Sequence, residues 1–195
     1  MKKILASAVL RLCGWQVKGV TPKLDQCVVI AAPHTSNWDF IWMKLMAWKL
    51  GWEINWLGKH TLFTGPAGGV MRWWGGVPID RRSKQDTVSQ VVERFDRGET
   101  LMLMIPAEGT RSYSDNWRSG FYHIARGAGV PVVLSFLDFK SRTGGIGPAI
   151  KMSDDMNADM NQIRSFYSGM QGKFPDLSGP MYLREERGEE QESEA

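Results

Sequence analysis

Five short apolar runs, each closed by turn residues and separated from the next by a segment of helical period, constrain this chain more than any other feature. They run near Cys27 to Ala32, Glu53 to Leu57, Val77 to Asp80, Thr100 to Ile105 and Val130 to Phe139. Runs of that length, alternating with helices, predict an α/β fold: a mostly parallel sheet flanked by helices. The clearest helix spans Lys84 to Arg97, with Val88, Val91, Val92 and Phe95 on one face and Gly98 as its stop. Further helices are expected over Trp38 to Leu50, Trp117 to Gly127 and Asp154 to Met170. The segment GPAGGVMRWWGGV lacks the Lys and Ser/Thr of a phosphate-binding Walker loop and reads as a connection. With 195 residues there is room for one such core. The expected division is a single domain over residues 1–183 and an acidic, solvated tail over 184–195.

The two ends carry different chemistry. The tail holds six glutamates against two arginines, so a net charge of +3 for the whole chain leaves +7 on the remainder. That excess favours an anionic partner: a phosphate-bearing molecule, an anionic membrane surface or nucleic acid. Nucleic acid is the weakest of these, since no paired aromatics on a basic strand occur. At the amino-terminal end, Ile4, Leu5, Ala8, Val9, Leu12 and Trp15 share one helical face, with Lys2, Lys3 and Arg11 elsewhere. This short amphipathic helix suits either a membrane interface or packing on the domain. Arg11 cuts the apolar run too early for a signal peptide, and Lys44, Lys49 and Glu53 interrupt the other candidate for a membrane span. Cys13 and Cys27 have no metal-ligand or disulfide spacing, which fits a reducing cytoplasmic location. Trp38, Ile41, Trp42, Leu45, Trp48 and Trp52 form a second stripe, core for the most part, with Lys49 inside it pointing toward an interface.

The chemistry concentrates in VVIAAPHTSNWDF. His34 sits at the end of a strand and Asp39 follows five residues later in the first turn of a helix. An imidazole held in one tautomer by a carboxylate is suited to deprotonating a hydroxyl near neutral pH. Ser36 with Asp39 also reads as a capping box, which accounts for Asp39 but not for His34. Two more strand ends carry arginines: Arg81 and Arg82 in IDRR, and Arg111 in EGTRS after Glu108. Arginine forks at strand ends of a parallel sheet suit a phosphate. No G-x-S-x-G is present, so a serine nucleophile finds no support.

Taken together, these segments resemble the four ordered blocks of the glycerolphosphate acyltransferase superfamily, the lysophosphatidate-acyltransferase-like enzymes. HTSNWD, with His34 and Asp39, is similar to the first block, H-x-x-x-x-D. Gly75 through Arg81 is similar to the second. Glu108, Gly109, Thr110, Arg111 and Ser112 are similar to the third, and Val130 with Pro131 to the fourth.

The resemblance implies acyl transfer from a thioester, acyl-CoA or acyl-carrier protein, to the hydroxyl of a lysophospholipid such as lysophosphatidate. It implies His34 as base, Asp39 as its orienting partner, and Arg81 and Arg111 on the acceptor phosphate. Glu108, Gly109 and Thr110 would shape the site, and the fourth block would wall the acyl chain. No cofactor or metal is implied beyond the thioester co-substrate. The implied setting is the cytoplasmic face of an anionic membrane, with no nucleic acid involved. A lyso-aminolipid acceptor, or a silent lipid-binding protein, are the alternatives.

Overall fold

The computed structural model describes residues 1–79 and 84–186. Seven strands form one sheet in the order β1-β7-β6-β2-β5-β3-β4. They are β1 Gln16–Lys18, β2 Gln26–Ala32, β3 Asn55–Lys59, β4 Gly76–Ile79, β5 Leu101–Pro106, β6 Val132–Asp138 and β7 Thr143–Ile150. All neighbours pair in parallel except β6 and β7, which pair antiparallel. The helices are α1 Lys2–Leu12, α2 Trp38–Leu50, α3 Gly68–Trp73, α4 Lys84–Asp96, α5 Gly120–Ala128 and α6 Met156–Tyr167. The mostly parallel α/β architecture expected from the alternating runs is the one found.

Central strand β2 shows why its run is continuously apolar. Val28, Ile30 and Ala32 enter one core with Val91 and Phe95 of α4, Ile124 of α5 and Ile163 of α6. Cys27, Val29 and Ala31 enter another, with Ala47 of α2, Trp52 and Ile54. Both faces of the strand are buried, so period 2 puts an apolar residue at every position. Helix α1 packs on α2 through Ala6 and Leu10, joined by Trp15, whose ring stacks on Trp42 at 5.1 Å.

Two expectations need correction, and a third is divided. The face of α1 grouped by sequence period is covered only in part: Val9 and Trp15 pack on the protein beside the buried Ala6 and Leu10, whereas Ile4, Leu5 and Leu12 are exposed. The helix is therefore apolar on two sides, and only one is covered. The glycine-rich connection contains helix α3. Its Gly68 is required there because a Cβ would lie 2.2 Å from the Phe63 carbonyl oxygen, a backbone approach that no side chain allows. Finally, the folded region passes the expected boundary at residue 183. Glu186 is buried and accepts from the Leu183 N–H at 2.6 Å and from Arg164 Nη1 at 2.7 Å. A carboxylate held by a guanidinium and a backbone donor belongs to the packed structure, not to a solvated segment.

Candidate active site

Strands β2 and β5 are parallel neighbours in which Ala31 lies opposite Pro106, so the loops that follow them leave the sheet at one edge. That edge, beyond the carboxyl ends of parallel strands, is where α/β folds collect ligands. The β2 loop brings His34 and the β5 loop brings Glu108, Gly109, Thr110 and Arg111. One hydrogen bond ties the loops together: the His34 N–H donates to Glu108 Oε1 at 2.9 Å. Glu108 is buried, and burial pushes its carboxyl above the usual carboxylate range, with the His34 backbone bond pulling it partly back.

The start of α2 supplies Asp39. Its Oδ2 accepts from the N–H groups of Thr35 and Ser36, at 2.9 and 2.8 Å, and lies 3.2 Å from His34 Nδ1. The bond to Ser36 is half of the expected capping box. The same oxygen thus lies against both the helix start and the imidazole, so one carboxylate meets the geometry of both readings of Asp39. Two backbone donors fix Oδ2 in space, and Oδ2 in turn favours a proton on Nδ1. Nε2 is then the ring nitrogen with a free lone pair.

His34 borders a pocket of about 590 Å³, within the range of small-molecule sites. Asn37, Gly109, Arg111 and Arg118 share its polar end with His34. Its body is apolar: Phe40 and Met43 from α2, Trp56 and Leu57 from β3, Met71 and Trp74 from the α3 segment, Met104 and Ile105 from β5. A histidine and two arginines from the segments that follow β2 and β5 thus border one hydrocarbon-lined space. The arrangement suits a ligand with a charged head, a reactive centre and an apolar chain.

Of the residues singled out in the sequence, His34, Asp39, Glu108, Gly109 and Arg111 converge here. Thr110 does not line the pocket; its Oγ1 accepts from the Ser112 N–H at 3.2 Å and shapes the turn. Arg81 lies outside the described residues. Arg118 went unrecognised in the sequence because it stands seven positions beyond Arg111, in an unremarkable helix approach. The chain returns to the site there, with the Arg118 N–H donating to the Ala107 carbonyl at 2.7 Å. The signal for it is Gly109, whose φ is +68° and whose Cβ, if present, would lie 2.5 Å from Arg118 Cγ. Glycine leaves the lane through which Arg118 reaches the pocket.

The fourth block is placed differently from the wall of an acyl site. Val130 and Pro131 precede β6 at the opposite edge of the sheet, where the Pro131 carbonyl accepts from the Val28 N–H at 3.0 Å. Leu134, within β6, is buried in the core and is not among the residues that line the pocket. This block sets β6 against β2.

A family model described as Acyltransferase matches residues 16–134, more than half of the chain and all of the polar end of the pocket. The chain belongs to the acyltransferase family. This agrees with the four-block resemblance to glycerolphosphate acyltransferases, and it makes the protein an enzyme of acyl transfer. Among solved structures, the acyltransferase is similar to the 1-acyl-sn-glycerophosphate (LPA) acyltransferase PlsC from Thermotoga maritima. The TM-score is 0.60 at 15% identity, over 85% of this chain and 74% of that one, a likeness of fold. None of the curated proteins matches the sequence. No helix among the described residues of the acyltransferase is long and apolar enough to cross a membrane.

Proposed function

We propose that the enzyme moves a fatty acyl group from acyl-CoA or acyl-carrier protein to the hydroxyl of a lysophospholipid, with lysophosphatidate as the leading acceptor. The observation that carries this reading is the His34–Asp39 pair at the polar end of a hydrocarbon-lined pocket that also holds Arg111 and Arg118. His34 Nε2 takes the proton of the acceptor hydroxyl as its oxygen attacks the thioester carbonyl. The tetrahedral intermediate collapses with cleavage of the C–S bond, and the imidazolium returns the proton to the departing thiolate. An ester and a free thiol result, and the protein forms no covalent bond. The acyl chain occupies the apolar body of the pocket, and the guanidinium groups hold the acceptor phosphate. The test is product mass spectrometry after incubation of the purified enzyme with a panel of lysolipids and both thioester classes. Diacylglycerol phosphate products support the proposal; acylation of lyso-aminolipids alone overturns the phosphate assignment.

The arginines give a sharper version of the same test. Arg111→Ala and Arg118→Ala should each raise the KM for a phosphate-bearing acceptor roughly ten- to 150-fold, the loss of a charge-assisted contact worth about 1.5–3 kcal/mol. The KM for the thioester should change far less. A rise confined to the thioester in both variants would reassign the pair to the donor's phosphates.

Delivery of a lysolipid calls for a membrane surface, and α1 supplies a fitting one. Met1, Ile4, Leu5 and Leu12 are exposed, as are Val70 and Trp73 of α3. The two helices adjoin, with Lys2 Nζ 4.7 Å from the centre of the Trp73 ring. The double substitution Leu5→Glu, Leu12→Glu leaves the buried Ala6 and Leu10 in place. It should lower partitioning onto anionic vesicles by at least roughly tenfold, given about 1.5–3 kcal/mol for each large apolar side chain withdrawn from water. Wild-type binding should weaken, without vanishing, between about 50 and 500 mM salt as screening removes the electrostatic share. Equal sedimentation of the double variant and the wild type would remove α1 from the docking surface.

A further inference from the structure

The loop that carries His34 is held from both sides of β2. On the side of β5, the His34 N–H reaches Glu108. On the side of β6, whose Phe136 lies opposite Ala32, the hold comes from residues 171–174, which follow α6. Gln171 is tied to the end of β6: its N–H donates to Asp138 Oδ1 at 3.1 Å, and its carbonyl accepts from the Phe139 N–H at 2.9 Å. From there the segment crosses to the β2 loop, where the Phe174 N–H donates to Thr35 Oγ1 at 3.1 Å. Gly172 lies against the same side chain, since a Cβ there would stand 2.6 Å from Thr35 Oγ1 and 2.9 Å from its Cγ2. Lys173, between them, sets its Nζ 5.4 Å from the centre of the Trp38 ring at the start of α2. All four residues lie beyond the segment 16–134 that the family model matches.

Thr35 is buried and joins two systems. Its hydroxyl oxygen takes the Phe174 N–H, and its own N–H is one of the two backbone donors on Asp39 Oδ2, at 2.9 Å. A shift of Thr35 therefore moves a donor that fixes Oδ2, the oxygen 3.2 Å from His34 Nδ1. Hydrogen bonds weaken steeply as their angle degrades, so a small displacement is enough to loosen the pair. We propose that residues 171–174 form a strap on Thr35 and that Thr35 is a positioning residue. Through its N–H it keeps Asp39 Oδ2 against His34 Nδ1, and so keeps the imidazole in the tautomer whose Nε2 is free to take a proton. The proposal rests on the reading above that His34 is the base.

The test combines kcat, both KM values and thermal melting with nitrogen NMR of the His34 ring, which reports the tautomer without turnover. Thr35→Val keeps the volume and removes the acceptor. It should lower kcat about ten- to 100-fold, the scale of a misplaced reacting group, with both KM values near wild type. It should also move the ring proton toward Nε2. Thr35→Ser, which keeps the hydroxyl, should recover most of the loss. Gly172→Ala leaves His34, Thr35 and Asp39 in place and forces the strap off Thr35, so it should show the same loss and the same tautomer shift. It carries the test should Thr35→Val fail to fold. Because Gly172 acts through Thr35, Gly172→Ala should add little to Thr35→Ala, in which the opposing Oγ1 and Cγ2 are gone. Wild-type kcat in Thr35→Val or in Gly172→Ala overturns the proposal. A fall in kcat with an unchanged tautomer also overturns it, since Thr35 would then support only the fold. Full turnover in His34→Ala would remove the base and the proposal with it, and that failure is read apart from the strap variants.

Discussion

Replacing His34 with Ala is expected to lower turnover by about 10²–10⁴-fold, the usual contribution of a positioned general base. The fold should survive, because the structural bond at this position is made by the backbone. The His34 N–H donates to Glu108, and that bond does not depend on the side chain. The imidazole itself is partly exposed, with 16% of its side-chain surface accessible. Melting temperature and acceptor KM should therefore stay near wild type while kcat falls. Single-turnover measurements with saturating thioester separate the chemical step from product release. Wild-type turnover in this variant would reject His34 as the base. Loss of turnover with a collapsed melting transition would instead make it a structural residue.

The sequence made this pair visible because the proposed chemistry and the local fold call on the same few residues. Asp39 accepts from the Ser36 N–H at the start of α2 and lies 3.2 Å from His34 Nδ1, and the helix runs over the expected Trp38–Leu50. Gly51 ends it in a left-handed conformation, with φ of 72°. Elements whose ends carry such signals, α4 before Gly98 among them, were legible within a residue or two. What escaped was set by contacts between distant segments. Strand β7, Thr143–Ile150, contains three glycines and a proline, poor strand formers on their own. Two of those glycines exist for close packing: a Cβ on Gly144 would lie 2.5 Å from Met46 Sδ, and one on Gly147 would lie 2.3 Å from the Phe166 ring. Tertiary packing overrides propensity there.

The same distinction runs through the site. His34, Glu108 and Arg111 end up together because β2 and β5 are adjacent, and a parallel sheet with strand-end motifs already suggests as much. The apolar body of the pocket follows no single period. Phe40, Trp56 and Trp74 come from three elements, and their rings meet only in the fold, with Phe40 5.7 Å from Trp56 and 6.0 Å from Trp74. The tryptophan stripe of α2 likewise divides only in three dimensions: Trp52 is buried and Trp42 stacks on Trp15, whereas Trp38 is 54% exposed. Helical period identifies a stripe without saying which neighbour covers each part of it.

The dual use of Asp39 makes Asp39→Asn a more informative substitution than its small change in volume suggests. The carboxylate oxygen Oδ2 accepts from two backbone N–H groups and lies 3.2 Å from His34 Nδ1. Asparagine keeps one acceptor oxygen and replaces the other with an NH₂ group. If that oxygen stays with the Thr35 and Ser36 donors, the helix start survives and the amide NH₂ turns toward the imidazole. Nδ1 must then accept, so the ring proton moves to Nε2, the position that takes the proton of the acceptor hydroxyl in the proposed mechanism. The wrong tautomer is thereby favoured, a fault that costs about 10⁴-fold in the serine-protease triad, where an aspartate plays the same part. We expect a loss of about 10²–10⁴-fold in kcat. The accompanying loss of stability should be only about 1 kcal/mol, as for a weakened helix cap. Stopped-assay turnover and thermal melting read the two effects separately. A variant with near-normal kcat would show that the carboxylate serves the helix alone, and that His34 finds its tautomer without it.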